Sequence, residues 1–198
     1  MSLSIAEGDF CWRSLRIEAM PRSPRARVAA MNYSDLLAFR HLSPTQIEDF
    51  VNSCHQGHIA ANRSLLKQGY RSNRLFFVIE GRVRVFLTTP EGDRDLSEIV
   101  APTVLGEISF FSGEANSANV ATVTPARVLV MSFSTLQSRL QAGDGAAAIV
   151  VFNLAEAIAK RAVSMTQKLN DLYSCDSEIQ LAQVKRFQKQ LFGEWSFI

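Results

Sequence analysis

Between Leu105 and Thr122 the chain reads Leu-Gly-Glu-Ile-Ser-Phe-Phe-Ser-Gly-Glu-Ala-Asn-Ser-Ala-Asn-Val-Ala-Thr. Residues of these types in this order predict a strand end, a tight turn, one short helix, a second turn and a new strand. A phosphate diester is held by backbone N–H groups converging from a short helix or nest, together with a fixed positive charge. Gly106 permits close approach of a ligand to the backbone. Ser117 offers a hydroxyl and an N–H, and the Glu107 carboxylate is suited to accept a hydrogen bond from a sugar hydroxyl. Glu114, in the same turn, adds a negative charge that works against an anion unless it points outward.

Other constellations are poorer. His55-x-x-His58 would put two imidazoles on one helical face, yet no third ligand of suitable type lies nearby in the sequence, so ordinary polar residues are expected and no metal. Cys11, Cys54 and Cys175 are odd in number and far apart, which fits free thiols in a reducing compartment and no iron–sulfur cluster. No nucleophile elbow, phosphate-binding Walker loop or metalloprotease helix occurs. Glu91 and Asp93 read as turn formers. Phe110-Phe111 reads as core rather than as a stacking platform for single strands. A non-enzymatic protein is expected, with no catalytic residue and no metal.

The elements that would position the Leu105–Thr122 stretch fall into four parts. Residues 1–30, with five arginines and two prolines but no apolar period, are expected to be a loose basic arm. After Asn32, apolar residues at helical spacing around Ser43-Pro44 predict short helices, Ser as cap and Pro in the first turn. From Ala60 to Phe133, short runs such as Leu75–Ile79, Val83–Leu87, Leu96–Val100 and Val128–Met131 predict strands, with Pro90–Asp93 as a hairpin turn. Close, regular spacing of such strands suggests a sandwich or jelly roll.

Beyond Phe133 the helical period returns, and Gly143-Asp-Gly145 reads as the loop before a long helix. Val151, Ala155, Ile158, Ala162, Met165, Leu169 and Leu172 alternate steps of four and three, a heptad seam that seeks a second copy of itself. Residues 174–198 read as an amphipathic tail with one short helix.

Composition narrows the function classes. The chain of 198 residues is 47% hydrophobic and 20% charged, as expected of a globular protein with a real core. Its net charge is +2, and with five arginines against Glu7, Asp9 and Glu18 in the arm the remainder is neutral, lacking the clustered Lys and Arg of a strong nucleic-acid binder. No apolar run approaches a membrane span and no signal-peptide core is visible, so a soluble, cytoplasmic protein is expected.

Gly106-Glu107-Ile108, the small-residue turn and Ser117-Ala118 resemble the phosphate-binding cassette of cyclic nucleotide-binding domains of the catabolite-activator family. Gly69 and Leu75–Val85 are similar to that family's strand–glycine–strand signature, and Leu96–Ile99 and Ala159–Leu172 continue the likeness, which covers about Leu36 to Leu172. The resemblance implies an α+β fold: an antiparallel β jelly roll flanked by short helices (31–145), a long dimerisation helix (146–173) and the tail. It implies a homodimeric regulatory module that senses cyclic AMP or cyclic GMP and couples the ligand to dimer-helix packing, with no other cofactor. It also implies a ligand set: Gly106, Glu107, Ile108, Asn116 and Ser117 in the cassette, with Glu107 on the ribose; Leu96, Ser97 and Ile99 near the base; Arg161, Met165 and Thr166 on the helix.

Asn116 stands where cyclic AMP binders of this family usually carry an arginine. A charge-assisted hydrogen bond contributes about 1.5 to 3 kcal/mol, so its loss weakens binding by roughly one to two orders of magnitude unless Arg82, Arg84 or Arg161 replaces it. The alternatives are a ligand-independent protein–protein interaction module docking an unknown partner through its tail, or a remnant of a transcription regulator. The family's activators carry a helix-turn-helix after the dimer helix, and the 26 residues after Leu172 are too few for one, so direct DNA binding is not expected.

Overall fold

Ser43 opens the first α-helix of the described residues, as the sequence predicts. In the computed structural model, which describes residues 18–19 and 33–173, its hydroxyl accepts from the Gln46 N–H while the Gln46 side chain accepts from the Ser43 N–H. This capping box, with Pro44 in the first turn, starts α1 (Pro44–Asn52). Two short 3-10 turns, Tyr33–Asp35 and Leu37–Phe39, precede it.

Among the described residues nine strands form two antiparallel sheets. They are β1 (Glu18–Ala19), β2 (His55–Ile59), β3 (Ser64–Leu66), β4 (Arg74–Glu80), β5 (Arg82–Thr89), β6 (Gly92–Val100), β7 (Thr103–Leu105), β8 (Asn119–Thr122) and β9 (Ala126–Ser132). One sheet has the order β1-β2-β9-β4-β7 and the other β3-β8-β5-β6, which is the expected jelly roll. Three helices complete the described chain: α2 (Glu107–Ser112), α3 (Phe133–Gln141) and α4 (Gly145–Tyr173).

The apolar runs of β4 and β9 are continuous because both faces of these strands are buried. Leu75, Phe77, Leu129 and Met131 face the helices, packing with Phe39, Phe50, Val150 and Leu154. Their alternate neighbours Phe76, Val78, Val128 and Val130 face the second sheet, packing with Ile59, Leu65, Val83 and Val120. Successive side chains of a strand point to opposite faces, so one run of five apolar residues supplies two cores. Phe39 stacks on Phe77 with centroids 5.4 Å apart, and Phe50 meets Phe77 edge-on at 6.0 Å. Gly81, at φ +104° between β4 and β5, admits no side chain: a Cβ there would lie 2.7 Å from the Pro125 carbonyl oxygen.

Three expectations are corrected. His55 and His58 lie on β2, not on a helix, and among the described residues no group of three metal-ligating side chains forms. Within the segment expected to be a loose arm, Glu18 and Ala19 pair with His58 and Gly57 as β1. Phe111 is 39% exposed, although Phe110 beside it is core as expected. The tail, Cys11 and Cys175 lie outside the described residues, and Cys54 is a buried free thiol.

The chain divides into two compact units, Met1–Ala155 and Glu156–Ile198, so α4 starts in the first and continues into the second. The Asp144 carboxylate accepts from the N–H groups of Ala146 and Ala147 and so caps α4. Its root carries one buried stripe, Ala146, Ala147, Val150 and Leu154, and Asn153 donates to the carbonyls of Ala38 and Arg40 at 3.0 and 2.7 Å. The heptad seam is a different stripe. Val151 is half-buried against the helix-side core, Ile158 is half-buried, and Ala155, Ala162 and Met165 are exposed; the side chains of Leu169 and Leu172 lie outside the described residues. No helix of the described residues is long and apolar enough to cross a membrane.

Candidate functional site

The cassette begins where β7 ends. Gly106 adopts φ +84°, a conformation that glycine takes without a Cβ penalty, and a Cβ there would sit 3.1 Å from the Arg74 carbonyl oxygen of β4. The close approach sets α2 directly against the sheet. Glu107, the first residue of α2, is only 5% exposed, so the carboxylate expected on the ribose is enclosed at the cassette entrance. Ile108, expected beside it as a contact, is exposed at 55%.

The far end of α2 is closed by Gly113 at φ +71°, whose N–H meets the Ser109 carbonyl. The Ser109 hydroxyl donates to the Glu114 carbonyl and accepts from the Ser72 N–H, so the turn after α2 is fastened to the loop before β4.

Asn116 continues that fastening. Its backbone N–H reaches the Tyr70 carbonyl at 2.9 Å, and its own carbonyl accepts from Gly69 at 2.9 Å. Its side-chain amide then donates to Tyr70 O at 2.7 Å and to Lys67 O at 3.3 Å. Both amide hydrogens are thereby used inside the protein, and Asn116 is buried. Asn119 holds the same loop three residues later, donating to Thr88 Oγ1 at 3.0 Å while its Oδ1 accepts from the Gln68 N–H at 3.0 Å. Sequence reasoning missed this clamp, since partners some 31 to 51 residues away leave no local signal. Ser117, between the two asparagines, is exposed with its hydroxyl at the surface.

The strand residues expected near the base separate. Val83 pairs with Ile99 and Val85 with Ser97, but Phe86 pairs with Asp95, so Leu96 is the extra residue of a β-bulge. Ile99 packs on the core between the sheets, whereas Leu96, expected beside it near the base, is 54% exposed.

Arg82 and Arg84 lie on the opposite face of β5 from buried Val83. Arg82 pairs with Glu98 at 2.9 Å, and Arg84 pairs with Asp95 at 3.4 Å while lying 4.1 Å over the Phe86 ring. These pairs engage two of the three arginines that the sequence offers as replacements for the missing one. In the β5–β6 turn the Thr89 hydroxyl donates to Glu91 and holds its carboxyl below the usual range. Arg161, Met165 and Thr166 belong to the second unit; there Met165 is exposed and the Thr166 hydroxyl donates back to the Ala162 carbonyl at 3.0 Å.

Residues 56–142 match the family model of the cyclic nucleotide-binding domain, and two antiparallel sheets in jelly-roll order, a glycine-led short helix after β7 and a long helix after the barrel fit that class. Among proteins with this domain the chain is similar to regulators of the catabolite-activator type. It is 24% identical over 139 residues to the cAMP-activated global transcriptional regulator CRP of Salmonella typhimurium, covering 69% of this chain and 64% of the regulator. It is 25% identical over 130 residues to mouse cGMP-dependent protein kinase 2, covering 66% of this chain and 16% of the kinase. The crystal structure of Thermus thermophilus catabolite activator protein superposes with a TM-score of 0.62 at 22% identity, over 69% of this chain and 63% of that one. The chain thus spans a small part of the kinase and under two thirds of the regulator.

Proposed function

We propose that this protein is a non-enzymatic, homodimeric regulatory module that senses a cyclic mononucleotide through a weakened cassette. The observation that carries the reading is the buried Glu107 carboxylate directly after left-handed Gly106, the arrangement a ribose hydroxyl requires. Phosphate oxygens would meet the Ser117 hydroxyl and backbone N–H groups without an arginine. The Asn116 amide supplies no charge and is bound to Lys67 and Tyr70. Affinity below that of an arginine-bearing cassette follows, by the one to two orders of magnitude that about 1.5 to 3 kcal/mol represents. The similarity to a cAMP-activated regulator and a cGMP-dependent kinase supports a ligand of this class.

Coupling would run through Arg161, Met165 and Thr166 to the α4 seam, provided that ligand contacts differ between two helix arrangements. The seam residues Ala155, Ala162 and Met165, exposed in the single chain, support self-association, and a cytoplasmic location suits such a sensor. Titration of the full chain with cyclic AMP and cyclic GMP, beside Glu107→Gln, tests the sensor.

A second reading is favoured by the clamp itself. Asn116 fastens the cassette turn to the loop at Lys67–Tyr70 with no nucleotide required, as a ligand-independent interaction module would have it. On that reading residues 174–198 dock a protein partner, and deleting them abolishes its capture while leaving any nucleotide affinity untouched.

A further inference from the structure

At the C-terminal end of α2 lies a cavity of about 320 Å³ that none of the cassette ligand residues lines. Ligand pockets begin at about this volume. Its walls are aromatic. Phe110 is buried, and Phe111 and Phe133 meet it edge-on at 5.2 and 5.3 Å, leaving 39% and 42% of their own surface exposed. Two half-exposed phenylalanines bordering a concave surface form an apolar lining that water solvates poorly, and aromatic rings prefer edge-to-face or offset neighbours.

The rim is polar and of one sign. Arg71 lines the cavity, its side chain is exposed, and it makes no ion pair or side-chain hydrogen bond with the described residues. Asn73 lies beside it, and no carboxylate lines the cavity. Elsewhere on the two sheets Arg82 is engaged with Glu98, Arg84 with Asp95 and Arg127 with Glu80. An uncompensated guanidinium above an aromatic floor selects a ligand with a flat apolar body and one anionic end.

We propose that the cavity between the end of α2, Arg71 and Phe133 is a second binding site, for a small aromatic carboxylate. The ring of the ligand lies against Phe111 and Phe133, and its carboxylate meets the Arg71 guanidinium, with the Asn73 amide at the rim. The site stands apart from the cassette and does not depend on whether the cassette binds a nucleotide.

The test is calorimetric titration of the full chain with 2-naphthoate and, as the neutral isostere, 2-naphthylmethanol. The expected result is saturable binding of one naphthoate per chain, with the alcohol weaker by about tenfold or more, as loss of a charge-assisted hydrogen bond dictates. Arg71→Gln removes the preference for the acid, and Phe111→Ala weakens both ligands. Both positions are exposed, and circular dichroism verifies that the variants fold. Absence of saturable naphthoate binding at millimolar concentration overturns the proposal. So does binding that survives both substitutions, or binding that Glu107→Gln abolishes while Arg71→Gln does not, which would put the probe in the cassette.

Discussion

Asn116 and Tyr70 are joined twice at one atom: the Tyr70 carbonyl accepts both the backbone N–H of Asn116, at 2.9 Å, and its side-chain amide, at 2.7 Å. A cassette position that would carry charge to a phosphate is here a fastener between two loops. Asn116→Ala removes two part-buried side-chain bonds and is expected to cost about 1 to 3 kcal/mol, each such bond contributing about 0.5 to 1.5 kcal/mol. Urea unfolding of the variant measures it.

Asn116→Arg separates the two roles. The guanidinium cannot reproduce the amide's contacts, so stability falls; a cassette otherwise competent for cyclic AMP gains about ten- to a hundredfold in affinity. Calorimetry and thermal melting on the same sample read both effects. Lower stability without tighter binding would favour the interaction module.

Gly81→Ala is expected to be among the most damaging single-methyl changes. The added Cβ falls 2.7 Å from the Pro125 carbonyl oxygen and 2.9 Å from Ala126 Cα, in a backbone conformation that L side chains rarely adopt. A loss of about 2 kcal/mol or more in chemical denaturation follows from strain and displaced backbone together.

Cys54 gives a pH signature. Burial pushes its thiol up to about 12, with Arg139 opposing that shift. The native state therefore holds the proton more tightly than the unfolded chain. Its contribution to stability is fully present below the ordinary thiol pKa of about 8.5 and is lost as pH rises from there toward 12. At pH 8 the native Cys54 is expected to resist thiol reagents and to react on unfolding, as a titration with and without denaturant would reveal.

Self-association is tested on α4. Ala162→Glu places a charge on the exposed seam in the second unit without touching the buried stripe at the helix root. Sedimentation equilibrium is expected to show a dimer for the parent chain and a monomer for the variant. A dimer that persists in the variant would move the interface elsewhere.

Legibility of the chain followed the range of the interactions. Ser43, Pro44 and Gln46 sit within one turn, and the α1 cap was readable from their order. The runs of β4, β5 and β9 were readable because burial on one or both faces selects apolar, β-branched residues. β2 was not, for His-Gln-Gly-His carries no such signal and gains its strand from pairing with β9. The exposure of Leu96 depends on a bulge that one strand cannot announce alone. Gly106 and Glu107 were legible as a motif; the Asn116 and Asn119 clamps and the Arg82 and Arg84 ion pairs came only with the fold.

The central claim, that the barrel is a live though weakened nucleotide sensor, is tested most directly by isothermal titration of the full chain with cyclic AMP and cyclic GMP, repeated on Glu107→Gln. The account predicts saturable binding of one of the two, with Glu107→Gln weaker by about tenfold or more through loss of a charged acceptor. No heat and no thermal stabilisation at millimolar nucleotide would contradict it, as would binding indifferent to Glu107.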